Sequence, residues 1–285
     1  MTVLSTQSSL TAEQRSDLEQ TCREVRASIL REIGSLGSGH IGGSLSMVEA
    51  LVTIYSRHLR QTPATKDDPD RDRFVLSKGH SGPGYYATLA HFGYFDPAEL
   101  LTLNQPGTRL PSHPDMNKTP GVDMTSGSLG QGFSAATGIA EAQRRRGKGA
   151  RTYVILGDGE SQEGQVWEAG LWAAQRKMDN LIAITDYNDM CIDGYVHDIN
   201  DIAPLDEKWR AFRWFVQVID GHDVDAIDRA LTTAEQHQGQ PSMIIMRTHK
   251  GHGVSFVEAA GVANHSMPIT PEQVRAGVAE LNEEN

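Results

Sequence analysis

The stretch Thr152-Tyr-Val-Ile-Leu-Gly-Asp-Gly-Glu-Ser-Gln-Glu-Gly-Gln-Val-Trp-Glu-Ala169 decides the fold. A buried-looking apolar run enters a glycine-flanked turn, Gly157-Asp158-Gly159, and the chain then turns helical. Similar apolar runs lie at Phe74–Leu76, Leu181–Thr185, Phe215–Ile219 and Met243–Arg247. Helical stretches, Glu163–Met178 and Val224–Gln238, separate the later ones. Strand, helix, strand at this spacing predicts an α/β fold: a mostly parallel sheet with helices on both faces. Ligands in such folds bind outside the carboxyl ends of the strands, where the βα loops gather.

Upstream, Thr11 and Gln14 form a capping-box pattern. Leu18, Cys22, Val25, Ile29 and Ile33 follow at helical steps, an apolar stripe on one face. A glycine-rich segment, Gly34–Gly43, carries His40, and a second helix is expected over Met47–Leu59. Thr62–Arg73 reads as a charged surface loop and residues 1–10 as a frayed end. No repeat or linker divides the chain, so residues 1–285 are expected to form a single domain.

Composition narrows the function. With 28 glycines in 285 residues, the chain exceeds the usual ~7%, which suits backbone that turns tightly or passes close to a ligand. A net charge of −11 argues against general binding to nucleic acid or an anionic membrane, though it leaves room for a local anion site. No apolar run approaches the ~18 residues of a membrane span. The N-terminus lacks the pattern of a signal peptide. Two distant cysteines, Cys22 and Cys191, fit a reducing compartment better than a disulfide scaffold or zinc site. The expected location is the cytoplasm.

The chemistry gathers at two strand ends. Asp158 follows one strand, and Asn188 follows the next, thirty residues on. Consecutive parallel strands would present both at one edge of the sheet. A carboxylate, an amide and a loop carbonyl suit a divalent ion that completes its shell with phosphate and water oxygens. Taken alone, Gly-Asp-Gly is more often a plain turn. Most of the eleven histidines, His91 and His252 among them, read as surface or capping groups. Asp123, Asp193 and Asp220 read as turn formers, Cys191 as a buried inert thiol, and the four tryptophans as packing. Arg144–Arg146 read as a solvated helix end.

Gly-Asp-Gly followed by an asparagine about thirty residues later resembles the thiamine-diphosphate motif, and the surrounding sequence resembles transketolase. The stretches SGHIGGSLSMVEAL, DRFVLSKGHSGPGYYATLA, LPSHPDMNKTPGVDMTSGSLGQGFSAATGIA, KWRAFRWFVQVIDGHD and RTHKGHGVSFVE carry the likeness in family order over roughly residues 15–281. The resemblance implies that Asp158, Asn188 and the Met190 carbonyl hold Mg²⁺ or Ca²⁺. His80, Gly127, Leu129, Gly157, Gly159 and Asn188 would contact thiamine diphosphate. His40 and His113 would face the substrate, and His265 would be shared between diphosphate and substrate. Glu163 and Glu168 would link paired sites across a dimer. Ser128, where many relatives carry proline, and His252, where lysine is frequent, depart from the pattern without removing a ligand.

Transketolases continue into a pyrimidine-binding domain and a C-terminal domain, which are expected to be absent here, since the likeness covers only the domain before them. In the family the glutamate that protonates the aminopyrimidine lies there. The resemblance therefore implies half of a split enzyme, completed to an α₂β₂ heterotetramer by a separately encoded C-terminal subunit. Its substrates would be a ketose donor and an aldose acceptor, exchanging a two-carbon ketol unit. Two alternatives are a carboligase subunit using an α-keto acid donor and an inactive regulatory subunit. A nicotinamide enzyme is disfavoured, since no Gly-x-Gly-x-x-Gly follows an early strand.

Overall fold

The structure is a computed structural model describing residues 10–283. Five strands, β1 (Arg73–Leu76), β2 (Thr152–Gly157), β3 (Leu181–Tyr187), β4 (Phe215–Asp220) and β5 (Ser242–Arg247), form one parallel sheet. Their order is β1-β2-β3-β5-β4. Register fixes the site: Gly157 lies opposite Asp186 across β2 and β3, and Tyr187 lies opposite Arg247 across β3 and β5. The residues just after β2, β3 and β5 therefore meet at one edge.

Side chains alternate across a pleated strand, so each strand feeds two cores. Phe74, Leu76, Tyr153, Ile155, Ile182, Ile184, Ile244 and Met246 face one core. Helices α1 (Ala12–Leu36), α2 (Val48–Thr53), α3 (Gly82–His91), α7 (Val224–Gln236) and α8 (Pro271–Glu283) cover that face. Val75, Val154, Leu156, Leu181, Ala183, Met243 and Ile245 face the other. There α4 (Gln131–Arg146), α5 (Gly164–Gln175) and α6 (Leu205–Ala211) pack. Burial on both faces explains why β2, β3 and β5 read as continuous apolar runs rather than alternating ones, whereas the edge strand β4 is only partly buried.

The capping box holds: the Gln14 N–H donates to Thr11 Oγ1 at 3.1 Å, and the Thr11 N–H donates to Gln14 Oε1 at 3.0 Å. A cap of this kind contributes about 1 kcal/mol. The expected stripe on α1 is buried throughout. The helix expected over Met47–Leu59 divides into α2 and a wider π turn, Ile54–His58.

Several local readings change once the packing is known. Residues 1–9 lie outside the described residues, but Leu10 is buried in the first core rather than frayed. The charged loop before β1 is anchored at its end: Asp72 is fully buried and accepts the Arg60 and Arg151 N–H groups at 2.9 and 2.8 Å. Asp123 is no simple turn former, since it pairs with Arg71 and accepts the Phe74 N–H at 2.9 Å. Arg144–Arg146 do form the basic last turn of α4, with Arg145 and Arg146 exposed as expected and surface pairs to Glu141 and Asp70. Trp209 and Trp214 are buried, but Trp172 is 42% exposed on α5.

Candidate active site

A cavity of about 380 Å³ opens at the carboxyl ends of β1, β2, β3 and β5. Its lining brings together His40, His80, His113, Gly127, Leu129, Gly157, Asp158, Gly159, Glu163, Asn188, Met190 and His265. These residues are scattered along the sequence, and the parallel sheet collects them. Glu168 does not line the cavity but is exposed on α5, the helix that starts beside Glu163.

The oxygen donors occupy one wall. Asp158 is 2% exposed. It accepts the N–H groups of Gly159, at 2.7 Å, and of Asp189. The Gly159 N–H, expected to face a diphosphate, thus turns to its neighbour, because a buried carboxylate takes the nearest donors. Burial and the adjacent Asp186 push the Asp158 carboxyl up to about 7. Asn188 accepts the Met190 N–H through Oδ1 at 3.1 Å and donates through Nδ2 to Asp186 at 3.2 Å. The Met190 carbonyl accepts Lys250 Nζ at 3.0 Å. A carboxylate, an amide oxygen and a carbonyl are hard donors of the type that Mg²⁺ and Ca²⁺ prefer. A buried carboxylate whose charge is disfavoured is the chemistry that a cation would relieve. The residues present fit such an ion.

The rest of the lining is cationic and aromatic. Lys78, 2% exposed, donates to the Gly43 carbonyl at 2.8 Å and to Asp186 at 2.5 Å. Burial opposes the Asp186 charge, yet Lys78 and the Ser46 and Thr248 hydroxyls hold its carboxyl below the usual range. Burial and Lys78 bring Lys250 down to about 8. Both lysines line the cavity, so positive charge gathers there on an acidic chain. Four imidazoles cluster beside them: the His40 ring centroid lies 5.7, 5.9 and 5.3 Å from those of His80, His113 and His265. Burial lowers all four, helped at His40 by His113, at His80 by Lys78 and at His265 by Lys250; His265 sits at about 3. Neutral imidazole offers one donor and one acceptor, the form that can orient a hydroxyl or hold a proton.

Gly127 shows why this loop needs glycine. Its φ is 151°, and a Cβ there would lie 3.3 Å from the His113 ring. Sequence reasoning passed over Lys78, Lys250 and Glu160, although the two lysines immediately precede glycines in the stretches that resemble transketolase. Cys191, expected to be buried, is half-buried and lines the cavity, as does Asp193. His252 stacks on His222 with centroids 3.6 Å apart.

Glu49, His222 and His252 bring ligand atoms within 4.8 Å of one another. The His222 Nε2 lone pair already accepts the His249 N–H at 2.9 Å, so Nδ1 carries the proton and faces Glu49 at 3.4 Å. A neutral ring has no second lone pair for a metal. Glu49 is also committed to Arg26 at 2.5 Å. This cluster anchors the turn that carries Lys250.

The family profile for the transketolase thiamine diphosphate binding domain matches residues 18–282. The chain belongs to the transketolase family. It is 54% identical over 274 residues to SqwG, the 6-deoxy-6-sulfo-D-fructose transketolase subunit of Clostridium sp. (strain MSTE9), covering 96% of this chain and 99% of that one. It is 39% identical to an apulose-4-phosphate transketolase subunit of Actinobacillus succinogenes, covering 94% and 97%. Among solved structures, transketolase from Leishmania mexicana superposes with a TM-score of 0.86 at 30% identity, covering 93% of this chain and 41% of that one. The matched transketolase region thus includes every strand and all the cavity residues named above.

Proposed function

We propose that this chain is the diphosphate- and metal-binding subunit of a split transketolase, acting in the cytoplasm with a separately encoded partner. The observation that carries the reading is one cavity holding hard oxygen donors, two buried lysines and four neutral histidines. Asp158, Asn188 and the Met190 carbonyl hold Mg²⁺. Lys78, Lys250, His80 and the Gly127–Leu129 backbone hold thiamine diphosphate. When bound, that cofactor supplies carbanion stabilisation for ketol transfer. The chain's own residues bind, orient and exclude water. His40 and His113 hold donor hydroxyls, and His265 is shared between diphosphate and substrate.

The relatives at 54% and 39% identity are named for a sulfonated and a phosphorylated substrate. The donor here is a ketose carrying an anionic substituent. The partner supplies the pyrimidine side of the cofactor pocket, and two copies of each chain assemble through Glu163 and Glu168. The test is ketol transfer from sulfonated, phosphorylated and unsubstituted ketoses, with thiamine diphosphate and Mg²⁺. Activity is expected only with the partner and an anionic donor. Full turnover by the lone chain contradicts the split assignment.

A further inference from the structure

We infer that Glu160 is a positioning residue: with Ser77 it builds a helix capping box from three separate chain segments and locks the Gly127–Leu129 loop onto the turn after β2. In an ordinary capping box, an N-cap hydroxyl accepts the N–H of the third helical residue, whose side chain returns to the N-cap N–H. Helix α4 can do neither. Its N-cap is Gly130 at φ 79°, and its third residue is Phe133.

Distant residues supply both halves. The Phe133 N–H donates to Ser77 Oγ, just beyond β1, at 2.8 Å. The Gly130 N–H donates to Glu160 Oε1 at 2.8 Å. Ser77 Oγ–H closes the ring by donating to the same Oε1 at 2.5 Å. Glu160 Oε2 accepts the Gly157 N–H at 3.0 Å. One carboxylate thereby joins the ends of β1 and β2 to the loop between them. Both side chains are sealed from water, at 0% exposure for Ser77 and 2% for Glu160. Gly132 permits the close approach, because a Cβ there would lie 2.7 Å from Ser77 Cα. The acid also sits at the positive end of the sixteen-residue α4.

Gly127 and Leu129 directly precede the locked residue, so this wall of the cavity is set before a ligand arrives. Ordering a wall in advance lowers the cost of binding. Only the identity of that ligand rests on the proposed function; the lock is a property of this chain.

Two variants test it. Glu160→Gln keeps the volume but turns one of the two acceptor oxygens into an NH₂, so either the Gly157 N–H or the Gly130 and Ser77 donors must part. Ser77→Ala removes the hydroxyl link. Hydrogen exchange on the full chain without cofactor is expected to be about tenfold or more faster in Glu160→Gln at residue 157 or at residues 130–133, whichever side the amide NH₂ faces. Ser77→Ala should show a smaller rise, with the amides of β3 and β5 unchanged in both. On the enzyme assembled with its partner, the thiamine diphosphate Kd with Mg²⁺ is expected to rise about tenfold in Glu160→Gln. Unchanged exchange at both 130–133 and 157, or loosening shared equally by β3 and β5, overturns the lock. Local loosening with wild-type affinity overturns the positioning role. A wild-type assembly that binds no thiamine diphosphate overturns the functional reading, while the exchange measurement still decides the lock.

Discussion

The two ends of the sheet treat buried charge in opposite ways. At the amino ends, His58 lies between Asp228 and Glu235 at 3.1 and 2.8 Å, Arg57 pairs with Asp228 at 2.6 Å, and Tyr153 donates to Glu235 at 2.8 Å. Burial works against charge there, but the partners outweigh it: His58 is raised and both acids are lowered. At the carboxyl ends, burial wins. Asp158 is raised, and Lys250 and four histidines are lowered; Glu160 is raised as well, although three donors already hold it. Asp186, held by Lys78, is the exception. Groups already satisfied by one another stabilise a fold. Groups pushed towards neutrality around an open cavity await a ligand.

Removing an imidazole from the carboxyl end tests the comparison with the largest effect. His113→Ala is expected to lower kcat/KM for the donor on the order of 10²-fold with cofactor affinity little changed. Steady-state kinetics beside cofactor titration read it, and lost cofactor affinity with normal donor kinetics would move His113 to the diphosphate side.

Glu32 sharpens the rule, because it is neutralised without belonging to the cavity. It is fully buried on α1, neither carboxyl oxygen has a hydrogen-bond partner, and burial raises its pKa well above the usual range. Glu32→Leu is expected to stabilise the chain at neutral pH by roughly 1–3 kcal/mol, measured by denaturant unfolding, and to leave cofactor affinity unchanged. A raised carboxyl pKa costs stability as pH climbs above the unfolded value near 4.3, so the gain should shrink in acid. Lost cofactor affinity would tie Glu32 to the site.

The smallest effect belongs to the amino end. Because the folded pKa of His58 is raised, its contribution is fully present below the unfolded value near 6.5 and is lost as pH rises through the folded pKa. The melting temperature is expected to decline by a few degrees over that alkaline window, and the decline should flatten in His58→Gln. An equal decline in the variant would assign it to other groups.

The sequence carries the sheet and one wall of the cavity openly, and the physics says why. Strands buried on both faces must be apolar runs, and consecutive parallel strands must bring Asp158 and Asn188 to one edge. The cationic wall stays hidden because its partners are remote. Lys78 meets Asp186 across 108 positions, and Ser77 meets Glu160 across 83. Local pattern alone assigns Lys78 to solvent. Asp123 misleads for the same reason, since an acid near glycine reads as a turn until its long-range partners, Arg71 and the Phe74 N–H, are known.

The central claim is that the oxygen wall holds a divalent ion and through it the diphosphate. Calorimetric titration of thiamine diphosphate into the enzyme assembled with its partner, with Mg²⁺ or with EDTA, tests it on wild type and Asp158→Ala. Saturable binding that needs Mg²⁺ in wild type and disappears in Asp158→Ala, with the sheet still folded by circular dichroism, is the expected result. Unchanged affinity in Asp158→Ala, or binding indifferent to EDTA, would contradict it.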